Sequence, residues 1–208
     1  MRRPRVVSLL VALVVATVLA GCADNGGPGS SGVEYEKLGV AVPSPSGPYQ
    51  TPKPEGKPPG DNANPTQQIL YDLQERVVRT AGVTAKTEAS CEGGLITGTV
   101  DQTVKCSVTY QRLRVAYQVE ITGGTPTFSW VATAERGVLT AEGVGRAYWA
   151  KYGRDADEVR CDKMPKARLV PLGKDTDFRC YHKRGDTWHE HGVLLNDGEI
   201  AFPVVEAG

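Results

Sequence analysis

The chain has 208 residues, with 24 basic and 24 acidic side chains, 40% hydrophobic residues and five cysteines. Arg2, Arg3 and Arg5 stand before Cys22 with no acidic residue among them, so the rest carries 21 basic against 24 acidic side chains, a net of −3. That balance excludes the concentrated basic face of a nucleic-acid binder and supplies no polybasic patch to help hold a membrane.

Residues 1–21 read as an export signal: a positive start, an apolar middle from Val6 to Val18, and the small-residue cleavage site at Leu19 to Gly21. The apolar run is shorter than the roughly 20 residues a spanning helix needs. Pro4 and Arg5 follow the Arg2-Arg3 pair where a twin-arginine signal has other residues, which favours the general export route. Leu19-Ala20-Gly21-Cys22 resembles the lipobox of bacterial lipoproteins. That resemblance implies a mature chain beginning at Cys22, whose thiol carries the lipid, on the extracytoplasmic face of the cell membrane. No other cofactor is implied.

Residues 22–64 hold the anchor and a tether. Eight of the 14 prolines fall here, among Gly, Ser, Asn and Lys, with few large apolar residues beyond Tyr35, Leu38 and Tyr49. Such a composition buries too little surface to offset its ordering entropy. It predicts a disordered spacer with a reach between roughly 35 Å as a coil and about 130 Å if extended.

Folding is predicted to begin at Asn64, an N-cap, followed by Pro65 at the first helical position and Gln67 where a capping box wants it. Ile69, Leu70, Leu73, Val77 and Ala81 recur at helical spacing, and Gly82 supplies a left-handed stop. Alternating apolar and polar residues then predict four strands. The first runs from Val83 to Ser90 and delivers Cys91, the second spans Val104 to Tyr110, the third Leu113 to Ile121 and the fourth Phe128 to Ala134.

The pattern then repeats. Thr140 caps a helix through Tyr152, with Val144, Tyr148 and Tyr152 on one face and Gly153 as the stop. Strands follow through Cys161 and through Phe178 and Cys180, then from Thr187 to Leu195, and last through Ile200, Phe202 and Val204, with an Asp197-Gly198 hairpin turn. Four landmarks recur at offsets of 70 to 74 residues: Gly82 and Gly153, Cys91 and Cys161, Cys106 and Cys180, Gly124 and Gly198. The expected fold is therefore α+β, a tandem repeat of a helix followed by a four-stranded antiparallel sheet, over 65–136 and 137–208.

With Cys22 set aside, four cysteines remain, an even number suited to an exported chain. Of the three possible pairings, only Cys91–Cys106 with Cys161–Cys180 treats both copies alike, giving one disulfide per repeat. Spacings of 15 and 19 do not resemble those of zinc-ligand cysteine pairs.

All three histidines lie in the second half. With a turn at Gly185-Asp186, His182 faces His189 across the ladder and His191 lies two residues on, an arrangement that can bind Zn²⁺ or Cu²⁺. The 74-residue offset maps them onto Val108, Val115 and Tyr117, core-face positions of the first copy. Arg184-Gly185-Asp186 spells an adhesion tripeptide but is also what a tight turn wants. Gly143 and Gly145 lack the third glycine of a phosphate loop. No Gly-x-Ser-x-Gly elbow occurs, and His189-Glu190-His191 is not a zinc-protease motif. The aromatics Tyr117, Phe128, Trp130, Tyr148, Trp149 and Trp188 read as core. Nothing here reads as an enzyme.

The lipobox, the Pro/Gly tether, the helix-plus-strands units with one cysteine pair each and the Val104-Lys-Cys-Ser-Val-Thr109 run resemble exported actinobacterial lipoproteins with small domains of unknown function. That likeness covers about residues 65 to 206 and implies no activity. The duplicated unit with one disulfide per copy also resembles, in architecture, the secreted β-lactamase inhibitor proteins, which grip an enzyme with a concave sheet but open each unit with two helices. Two functions are expected in order: an envelope-tethered binding module whose partner is an envelope or extracellular protein, then a carrier of metal or a small solute using His182, His189 and His191.

Overall fold

The computed structural model describes residues 38–124 and 127–205. The export signal and Cys22 lie outside the described residues. Among those described, no helix is long and apolar enough to cross a membrane.

In chain order the elements are β1 (Val40–Ala41), α1 (Pro65–Ala81), β2 (Thr87–Cys91), β3 (Gln102–Tyr110), β4 (Leu113–Thr122), β5 (Ser129–Thr133), β6 (Arg136–Thr140) and α2 (Ala141–Tyr152). They are followed by β7 (Glu158–Cys161), β8 (Ala167–Pro171), β9 (Asp175–Arg184), β10 (Thr187–Asn196) and β11 (Glu199–Ala201). Among the described residues the fold is α+β, with two helices, three antiparallel sheets and two disulfides, Cys91–Cys106 and Cys161–Cys180.

Local chemistry sets α1. The Asn64 side chain accepts from the Gln67 amide at 2.9 Å, and the Gln67 side chain accepts from the Asn64 amide at 3.1 Å, so two orphan donors are satisfied reciprocally. At the other end Gly82 adopts φ +70° and its amide returns to Val78 and Arg79. The apolar stripe of Ile69, Leu73 and Val77 covers the sheet β2-β3-β4-β5, where Val108, Val115, Tyr117, Val119 and Ile121 point inward. Helix α2 covers the sheet β1-β7-β9-β10-β11 through Val144 and Tyr148, against Val159, Val193, Leu195 and Phe202.

The helices meet end to end. Thr140 Oγ1 donates to the carbonyl of Ala81 at 2.6 Å while accepting from the Gly143 amide at 2.9 Å. Gly82 and Gly143 touch there, and a Cβ on either would strike the other's backbone.

Two features depart from the expected organisation, the ribbon and the tether. Strands β6 and β8 form a separate two-stranded ribbon. Val138 of β6 enters the first core, while Leu139 of β6 and Val170 of β8 enter the second. Gly153 ends α2 as expected, in a right-handed conformation with φ −65°. Part of the stretch read as tether is laid on the fold: Leu38 is buried, β1 pairs with β7, and the Val42 amide donates to the Val159 carbonyl at 2.9 Å. The indole of Trp149 donates to the Val42 carbonyl at 3.0 Å, and Pro52 and Pro54 are buried. Gly39 permits the approach: its φ is +69°, and a Cβ there would collide with the Cys161 carbonyl. A buried leucine, a short ladder and the Trp149 hydrogen bond hold this strap, which average composition does not reveal.

Candidate functional site

The turn at Gly185 and Asp186 sets the register of the β9–β10 hairpin, and His182 stands directly opposite His189. His191 lies two residues further on the same face, opposite Cys180. That face is the one α2 covers, so the histidines meet Tyr148 and Tyr152. The phenol oxygen of Tyr148 is 3.0 Å from His182 Nδ1 and 2.8 Å from His191 Nδ1, with the Cys180 carbonyl at 3.4 Å. A hydroxyl carries one proton, so at least one imidazole must donate from its own Nδ1.

Rings close the cluster. Tyr152 stacks on His182 at 4.8 Å and on His191 at 4.4 Å between centroids, and Phe202 meets Tyr148 edge-on at 4.9 Å. His182 and His191 are buried, while His189 is exposed and stacks on His182. Burial, with the neighbouring His182, Lys151 and His189, pushes the His191 imidazole down to about 4. His182 is lowered for the same first reason, aided by His189 and Arg184 and opposed by Asp155. Burial holds the Tyr148 phenol well above the usual tyrosine range. Both buried imidazoles are therefore neutral at pH 7, joined through a phenol that stays protonated.

As ligands the histidines are poorly disposed. Their rings lie nearly parallel, 21° between His182 and His189 and 18° between His182 and His191, and the Nδ1 atoms of His182 and His191 are already engaged by the Tyr148 hydroxyl. Among the described residues no group of three or more His, Cys, Asp or Glu is arranged to hold a metal ion. The cluster is a satisfied polar knot inside the second core. Tyr148→Phe would leave both Nδ1 atoms without their shared partner. We expect it to cost about 1–3 kcal/mol, read as a lowered urea midpoint at pH 7.5; an unchanged midpoint would show the hydroxyl to be idle.

Sequence reasoning placed the three histidines together but read Tyr148 as ordinary core and Tyr152 only as part of the same helix face. Their i, i+4 spacing on a helix in the histidine-bearing half was the available signal.

A second feature is the open face of the sheet β2-β3-β4-β5. Lys105, Arg114 and Gln118 project from it, with Lys105 opposite Gln118 and Ser107 opposite Ala116. Glu135, Arg136 and Leu169, from the β5–β6 connection and the ribbon, raise one side, leaving a groove of about 720 Å³. Arg136 is steadied there by donating to the Leu169 carbonyl at 2.9 Å. This face is polar and charged rather than apolar. Val131, 62% exposed on β5, is its conspicuous apolar residue.

Comparison of the chain with known proteins finds no matching family model, no matching curated protein and no matching solved structure.

Proposed function

We propose that this chain is a lipoprotein of the bacterial cell envelope, anchored by lipid on Cys22 and acting as a non-enzymatic binding module through the open face of β2-β3-β4-β5. The observation that carries the reading is the groove on that face, where Lys105, Arg114, Gln118, Glu135 and Arg136 present a polar, mixed-charge surface to a protein partner. Two disulfides agree with an oxidising compartment. We further propose that the halves arose by duplication. In each, a helix covers four strands whose first two in sheet order share a disulfide: α1 over β2-β3-β4-β5, and α2 over β7-β9-β10-β11. The ribbon β6–β8 and the strand β1 are then additions.

The strap shortens the tether. From Cys22 to Leu38 there are 16 residues, which span at most about 58 Å whatever their conformation. The partner therefore stands close to the membrane rather than deep in the wall. A metal carrier using His182, His189 and His191 has less support, because those rings are stacked and two of them are engaged by Tyr148.

The test is capture from native envelope with the lipidated protein bearing a photo-crosslinker at Gln118. A single protein should be captured, and lost when Lys105→Glu and Arg114→Glu are combined; both side chains are exposed, so thermal stability should not change. In fractionation, Cys22→Ser should move to the soluble phase still folded. Capture that survives the double charge reversal would sink the groove, and a membrane-bound Cys22→Ser chain would sink the anchor.

A further inference from the structure

The strap from Leu38 onward also roofs a cleft. Between it, the first turns of α2 and the loop that follows β7 lies a hollow of about 760 Å³, within the roughly 300–1,000 Å³ that small-molecule sites occupy. Its shape is held from several sides. Val42 is clamped by the Val159 carbonyl and the Trp149 indole, and it rests on Gly145, where any Cβ would come within 2.7 Å of its Cγ1. Leu38 is buried and the ladder to β7 secures the near end.

The walls are apolar along the strap and of mixed charge across from it. Val40 is 50% exposed, Pro43 is exposed and Met164 is half-buried, and all three line the cleft. Arg146 of α2 and Lys163 of the loop line it as well. Two carboxylates also stand there, but neither answers Lys163. Glu142 sits 3.9 Å from Arg146, and Asp162 accepts the Arg179 amide at 2.7 Å. Lys163 pairs with no carboxylate among the described residues. An apolar wall exposed to water next to a cation without its counter-charge is complementary to a molecule that joins an apolar chain to an anion.

We propose that this cleft binds an amphiphile with one apolar chain and one anionic headgroup, the chain lying along Val40, Pro43 and Met164 and the head meeting Lys163 and Arg146. A free carboxylic acid and an anionic membrane lipid share that chemistry. This site is distinct from the sheet groove and does not depend on it.

Calorimetric titration of the chain from residue 22, carrying Cys22→Ser, with octanoate, decanoate and dodecanoate below their micelle concentrations tests the idea. Each buried methylene contributes about a fourfold gain in affinity, so each two-carbon step should tighten binding about tenfold or more. Dodecanol, which lacks the charge, should bind at least tenfold more weakly than dodecanoate. Lys163→Glu and Val40→Asp should each weaken dodecanoate at least tenfold without a change in melting temperature. A parallel arm uses phosphatidylglycerol and phosphatidylcholine vesicles. Lys163-dependent binding to the first alone, with no response to free acids, assigns the head to a membrane lipid and upholds the proposal. Binding that ignores chain length, binding that survives both substitutions, or no binding of acid or vesicle overturns it.

Discussion

Reduction of both disulfides is expected to remove about 6 kcal/mol of stability and to unfold the protein at 37 °C. Each bridge joins directly opposed residues of neighbouring strands, Cys91 with Cys106 and Cys161 with Cys180. Their sequence separations are 15 and 19. Restricting loops of that size in the unfolded chain is worth about 3 kcal/mol each, and the sum is comparable with the 5–15 kcal/mol that separates most folded domains from unfolding. The bridges sit in different cores: Cys106 packs in the first, Cys161 and Cys180 in the second. Their losses should therefore add. Urea denaturation followed by circular dichroism, with and without dithiothreitol, reads the total. The paired variants Cys91→Ala with Cys106→Ala and Cys161→Ala with Cys180→Ala read each share. The second pair should also loosen the strap, since β1 is held by the strand that Cys161 ends. A loss below about 1 kcal/mol on full reduction would show that the cores hold without their bridges.

Acid should weaken the fold through its buried histidines. His191 takes up its proton near 4 in the folded chain and near 6.5 when unfolded. The folded state thus refuses a proton that the unfolded state accepts. Stability is full above about pH 6.5, falls as the pH drops, and is lost through about pH 4, a change of about 3 kcal/mol. His182, shifted in the same direction, adds to it. The groups that face these rings are His189 and Arg184 on the hairpin, Tyr148, Tyr152 and Lys151 on α2, and Asp155 beyond it. Of these, Asp155 alone favours the charged form, and it acts on His182. Asp175, held low mainly by its bonds to Arg179, titrates below this window. Urea midpoints at pH 7.5, 5.5 and 4.0 should trace the loss, and His191→Gln should flatten it. A variant with the same slope as the parent would place the proton uptake elsewhere.

Short-range chemistry in the sequence determined a large part of this protein. The α1 cap, the left-handed Gly82 and the turn that sets His182 against His189 all follow from residues within about 20 positions of one another, and the cysteine pairing, itself between near neighbours, was legible from the recurrence of landmarks 70 to 74 residues apart. Each is decided by a local hydrogen bond, a backbone angle or a short loop. Tertiary structure alone decided the rest. Strands β6 and β8 pair across α2 and β7, a separation at which alternating residues carry no signal of their partner. Leu38 and Val42 sit in a proline-rich run whose average polarity hides two good anchors, and only the groove beside Cys161 and Trp149 reveals their use. Tyr148 looked like core and is core, yet its phenol joins His182 to His191 only because α2 lies across the hairpin. The charged groove and the cleft beneath the strap arise likewise where separate elements meet, because a surface is made by contacts that no window along the chain contains.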